Sequence, residues 1–157
     1  MDRIVGIGEY VVSNNKNDTI KTFALGSCVA ITVYSPSKNV AGMAHIALPS
    51  PDLSSDDGSP GPCYYAITAV PFLINKICSE FGCLKGELII EIFGGAKSVR
   101  DNDVFKIGQK NVETVKRILN DLNLVYNATK TGGTYSRTLE MDVATGKVKV
   151  ALRPIRI

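Results

Sequence analysis

Tryptophan is missing from these 157 residues, histidine occurs once, and no apolar run approaches the ~20 residues that a bilayer-spanning helix requires. The last absence argues against membrane insertion. The opening MDRIVGIGEY also lacks the charged-then-apolar order of a secretory leader, so the expected location is cytoplasmic. Charge of one sign is not concentrated either. Eighteen Lys and Arg against fifteen Asp and Glu give a net +3, spread along the chain without the basic stripe and interleaved aromatics that nucleic acid demands, and no nucleic-acid partner is expected. There is no C-x-x-C pair. With cysteines at 28, 63, 78 and 83 and His45 as the single imidazole, the spacing argues against a zinc site, and neither metal nor cofactor is expected. Cytosolic thiols are held reduced, so the even count of cysteines is no argument for disulfides. Cys78 and Cys83 read as small apolar fillers near a helix end, and Cys63 as a loop thiol open to oxidation.

What is present suits one globular domain over residues 1–157. The chain is 45% hydrophobic and 21% charged, which is ordinary for soluble domains, and at this length a single core can bury roughly two thirds of the unfolded surface. Residues 4–12 and 19–24 are β-prone and separated by the turn-forming SNNKND. VAITVY (29–34) and NVAGMAHIAL (39–48), joined by SPSK, predict a hairpin. Four prolines, two glycines and four serines within 49–63 predict a loop. Val70, Leu73, Ile74, Ile77 and Phe81 then fall at helical spacing, with Pro71 predicting a kink or a helix beginning nearby. ELIIEIF (87–93) reads as a buried strand, GQKNVETVKRILNDLNL (108–124) as an amphipathic helix, residues near 124–129 as a strand, and 137–157 as a hairpin about Ala-Thr-Gly-Lys. About eight strands and two main helices without regular alternation predict an α+β layered sandwich with a mixed or antiparallel sheet core.

Within that plan, Cys28 follows the glycine-containing bend of TFALGSCVAITVY and stands at the head of a strand. If residues 35–38 close the hairpin, Cys28 lies directly opposite His45, with both side chains on one sheet face. An imidazole there can accept the thiol proton and later protonate a leaving amine, which is the requirement for acyl transfer from an amide through a thioester. Thr22, an even number of residues earlier, would share the face in extended chain and could hold the second ring nitrogen. Gly26 lets the backbone turn so that N–H groups around Ser27 and Cys28 could meet an oxyanion. One Cys and one His in β segments also describe a core thiol and a satisfied core imidazole. Spacing leaves both readings open.

VGIGEY (5–10), T-x-x-LGSC (22–28), GMAHIALP (42–49), FGGA (93–96), IGQKN (107–111) and TGG (131–133) followed by Ser136 and Arg137 together resemble the CheD family of chemoreceptor glutamine deamidases. The resemblance implies a catalytic triad falling on Cys28, His45 and Thr22, and a sandwich similar to the deamidase domain of cytotoxic necrotizing factor toxins. It implies hydrolysis of chosen glutamines of chemoreceptor (methyl-accepting chemotaxis protein) cytoplasmic regions to glutamate, with ammonia released. It also implies CheC, a phosphatase, as a partner, for which the segment around Phe105 could provide surface. Gly94, Gly95, Gly132 and Gly133 would make tight turns near the site. The chain departs from the family where YYAI (64–67) places Ile67 near a position commonly acidic. A chemotaxis adaptor with little catalysis and a different thiol-dependent amide hydrolase remain the rival functions.

Overall fold

The computed structural model describes residues 1–51, 61–97 and 106–155. Alternating and continuous apolar segments condense into nine strands among these residues: β1 (Asp2–Ile4), β2 (Tyr10–Ser13), β3 (Thr19–Leu25), β4 (Val29–Ser35), β5 (Val40–Ile46), β6 (Ile89–Gly94), β7 (Asn127–Thr131), β8 (Tyr135–Asp142) and β9 (Val148–Pro154). Two α-helices accompany them, α1 (Ala66–Phe81) and α2 (Ile107–Asp121). The strands form a four-stranded sheet in the order β1-β3-β8-β9 and a five-stranded sheet in the order β2-β5-β4-β6-β7. Both are mixed, because β1 runs parallel to β3 and β6 parallel to β7 while the other pairings are antiparallel. The expected α+β sandwich with two main helices is borne out.

Two apolar layers hold this arrangement. Ile20, Leu25, Ala41, Met43, Phe93 and Leu139 fill the space between the sheets. On the far face of the five-stranded sheet, Ile31, Val33 and Ala44 meet Leu73, Ile77, Val115 and Leu119 of the helices. Strands β4 and β5 are thus covered on both sides, and every residue of β5 is buried. This is why their sequence reads as near-continuous apolar runs rather than clean alternation. Each fully buried Leu or Ile of α1 contributes about 1.5–3 kcal/mol, enough for the helix to run unbroken through Pro71 and to end at Gly82 in a left-handed conformation.

Three expectations need correction. Residues 4–12 are not one strand, since the chain turns between Ile4 and Tyr10 and assigns β1 and β2 to different sheets. The hairpin turn is 36–39 rather than 35–38: Ser35 still pairs with Val40, its hydroxyl anchored on Glu87 at 2.6 Å, and Asn39 takes the left-handed position. Ala30 rather than Cys28 therefore lies opposite His45. That shift keeps the parity of the strand, so Cys28 and His45 still belong to the same face. Cys63 is fully buried instead of open to oxidation, and burial pushes its thiol up to about 12.

Candidate active site

The strand ends gather at one rim. β3 ends at Leu25, a bend over Gly26–Cys28 crosses from one sheet to the other, and β4 begins at Val29 beside the ends of β5 and β6. Thr22 and Cys28 therefore do not share a face of one extended strand. They project from opposite sheets into the same layer, brought there by the crossing and by an irregularity between Thr22 and Leu25, where Ala24 has a φ of 53°.

Thr22 and His45 meet across that layer, with Oγ1 and Nδ1 2.7 Å apart. The Thr22 hydroxyl also donates to the Val5 carbonyl at 2.7 Å. A carbonyl only accepts, so the single hydroxyl proton is committed to Val5, and the Thr22 oxygen must accept from the ring. This requires Nδ1 to carry the proton and leaves Nε2 as a bare lone pair. Nε2 is sealed from solvent and has no hydrogen-bond partner among the described residues. An oriented, unoccupied proton acceptor is the result.

Cys28 is half-buried and packs against the same inter-sheet cluster. Its thiol does not donate to Nε2 in this structure. Burial raises the Cys28 pKa and lowers that of His45 to about 4, so the two stand as thiol and neutral imidazole. A resting thiolate–imidazolium pair is disfavoured by the apolar surroundings. The arrangement suits a base that takes the proton as the sulfur attacks.

The backbone around both residues is clamped. Gly8 N–H donates to the His45 carbonyl at 2.8 Å, His45 N–H to Glu9 at 3.1 Å, and Cys63 N–H to Gly8 at 2.9 Å. On the other side, Gly95 N–H donates to the Cys28 carbonyl at 2.8 Å and Ala96 N–H to Gly26 at 2.8 Å. A Cβ on Gly94 would strike the Cys28 carbonyl, and the residue has a φ of 96°, so both space and conformation require glycine there. Asn111, fully buried on α2, donates from Nδ2 to the Ser27 carbonyl at 2.9 Å and to the Ala47 carbonyl at 3.0 Å. One amide thus ties the residue before Cys28 to the end of the His45 strand. Sequence reasoning gave Asn111 no role beyond its place in IGQKN, since its partners lie far away along the chain. The Val5 carbonyl has no side-chain signal at all.

The profile described as CheD chemotactic sensory transduction matches residues 47–152. The probable chemoreceptor glutamine deamidase CheD of Syntrophotalea carbinolica is 43% identical over 152 residues, covering 96% of this chain and 93% of that protein. The chain belongs to the CheD family. Another CheD relative, the chemoreceptor glutamine deamidase CheD of Thermotoga maritima, is 39% identical over 150 residues, which cover 96% of this chain and 91% of that one. Among solved structures, the Bacillus licheniformis hypothetical protein YfiH matches with a TM-score of 0.51 at 12% identity, over 78% of this chain and 51% of that one. That likeness concerns the fold of the CheD sandwich and not its chemistry. Among the described residues no group of His, Cys, Asp and Glu could hold a metal ion, and no helix is long and apolar enough to cross a membrane.

Proposed function

We propose that this CheD-family chain hydrolyses glutamine side chains of chemoreceptor cytoplasmic regions to glutamate, with Cys28 as nucleophile, His45 as base and Thr22 as the group that orients the base. The observation that carries the reading is the Val5–Thr22–His45 relay, which leaves Nε2 ready to accept a proton in the layer where the Cys28 sulfur packs. Sγ attacks the carboxamide carbon while its proton passes to Nε2. Backbone N–H groups in the Gly26–Cys28 bend stabilise the oxyanion. The imidazolium then protonates the departing nitrogen, the C–N bond breaks, and ammonia leaves a thioester on Cys28. Water, deprotonated by the same Nε2, attacks the thioester, and collapse returns the thiol and a glutamate carboxylate. The gap between sulfur and Nε2 in the free protein closes when a glutamine side chain fills the rim, as catalytic hydrogen bonds often tighten only with substrate bound.

The test is incubation with a receptor cytoplasmic fragment, followed by mass spectrometry for the mass gain of amide-to-acid conversion. Wild type should convert, and Cys28→Ala and His45→Ala should not. Conversion by Cys28→Ala would overturn the assignment, and receptor binding with no conversion by wild type would favour the adaptor. A cytoplasmic location suits a substrate in receptor cytoplasmic regions, and a partnership with CheC rests on the resemblance; Phe105, the residue suggested for that contact, lies outside the described residues. Co-purification of CheC with the chain checks the partnership.

A further inference from the structure

We propose that Arg137 forms an anion subsite beside Cys28 that holds a carboxylate of the protein substrate close to the glutamine being converted. Arg137 is only 8% exposed, and it alternates along β8 with residues that point away from the inter-sheet layer, as the buried Leu139 and Met141 show. It stands opposite Leu25, three residues before Cys28, at the rim where the strands converge. Gly133 flanks its Nη2, the Gly133 carbonyl accepts from Lys97 N–H, and Gly132 N–H donates to the Gly94 carbonyl, next to the backbone that grips Cys28. The guanidinium therefore lies on the same ring of loops as the nucleophile.

A guanidinium retained for structure is normally satisfied by carboxylates or several carbonyls of its own fold. Arg137 is not. Among the described residues it enters no ion pair. Its one side-chain hydrogen bond among these residues, from Nη1 to the Tyr135 carbonyl two residues away, is long at 3.5 Å. Burial lowers its pKa, and no carboxylate of the described residues opposes the shift, consistent with a cation lacking its counter-ion. The planar fork fits a carboxylate in bidentate fashion. Identifying that carboxylate as an Asp or Glu side chain of a receptor rests on the deamidase reading, whereas the anion subsite itself does not.

The first experiment uses no receptor. Cys28 is alkylated in the full chain with anionic iodoacetate and with neutral iodoacetamide, and the ratio of the two rates is normalised to that of a small free thiol. Wild type should favour iodoacetate by about tenfold or more, the scale of a charge-assisted hydrogen bond, and Arg137→Met should lose that preference while Arg137→Lys retains part of it. Equal ratios in wild type and Arg137→Met would overturn the subsite. Stability gives a second readout: because no carboxylate of the described residues holds the guanidinium, the urea midpoint of Arg137→Met should be unchanged or raised, and a large loss would assign Arg137 to structure instead. The substrate arm compares glutamine peptides that differ only in an Asp or Asn neighbour. The Asp peptide should have the higher kcat/KM in wild type, and the ratio should collapse in Arg137→Met. No turnover of either peptide, with the alkylation preference intact, would refute the identification with a receptor acid but not the subsite.

Discussion

Acidification should weaken the fold through His45, by an amount that follows from its burial. The imidazole is 4% exposed, and its pKa falls from 6.5 to about 4 on folding. Because the folded value is the lower one, the unfolded chain binds the extra proton first as pH drops. The neutral ring thus costs nothing near pH 7, and stability declines as pH falls from 6.5 through 4. Integrating that difference gives a loss of about 2 kcal/mol at pH 5 and roughly 3 kcal/mol once both states are protonated. Urea denaturation at pH 7, 6 and 5, carried out on wild type and His45→Gln, isolates the effect, since the variant retains every other titrating group. The free energy of wild type minus that of the variant should shrink by about 2 kcal/mol between pH 7 and 5. A difference that stays flat with pH would refute the claim that a neutral, desolvated imidazole sits in the layer. The same depressed value places the acid limb of kcat/KM near pH 4, so receptor conversion measured at pH 6 should retain most of its neutral-pH rate wherever the protein remains folded.

Other substitutions probe the same geometry. Thr22→Val removes the acceptor that fixes the ring tautomer and should lower kcat by about 10–100-fold with little change in KM, while Thr22→Ser recovers most of the rate in steady-state assays. Asn111→Leu frees the Ser27 and Ala47 carbonyls from their shared donor; a loss of about 1–3 kcal/mol in urea titration and slower Cys28 alkylation are expected. Gly94→Ala forces a Cβ against the Cys28 carbonyl at a positive φ, so thermal melting should show destabilisation by about 1–3 kcal/mol or more, with activity reduced further than stability alone explains. Peptide mapping after brief iodoacetamide treatment should find Cys28 labelled well before Cys63, whose thiol is fully buried.

Much of the strand and helix content could be read from periodicity because each element answers to local rules. The stripe through Val70, Leu73 and Ile77 and the turn at Gly82 are examples. The division of residues 4–12 between two sheets could not be read, because β1 and β2 find their partners through long-range pairing that leaves no mark in local composition. A turn at 35–38 puts Cys28 and His45 on the same face, as the structure has them, but two residues out of register. An even shift preserves side-chain parity, and Glu87, which the Ser35 hydroxyl meets at the base of the turn, lies far away in sequence. Residue parity puts Thr22 beside Cys28 along one strand. In three dimensions it reaches His45 from the opposite sheet, which no count of residues between Thr22 and Cys28 could reveal.

Because the threonine and the imidazole belong to different halves of the sandwich, their bond works as a gauge of how closely the halves are pressed together. Any swelling that parts the layers, whether from heat, acid or a cavity at Met43 or Leu139, severs the relay even while each sheet keeps its own ladder. Loss of deamidation should therefore be an early reporter of interior loosening, ahead of any change in strand content.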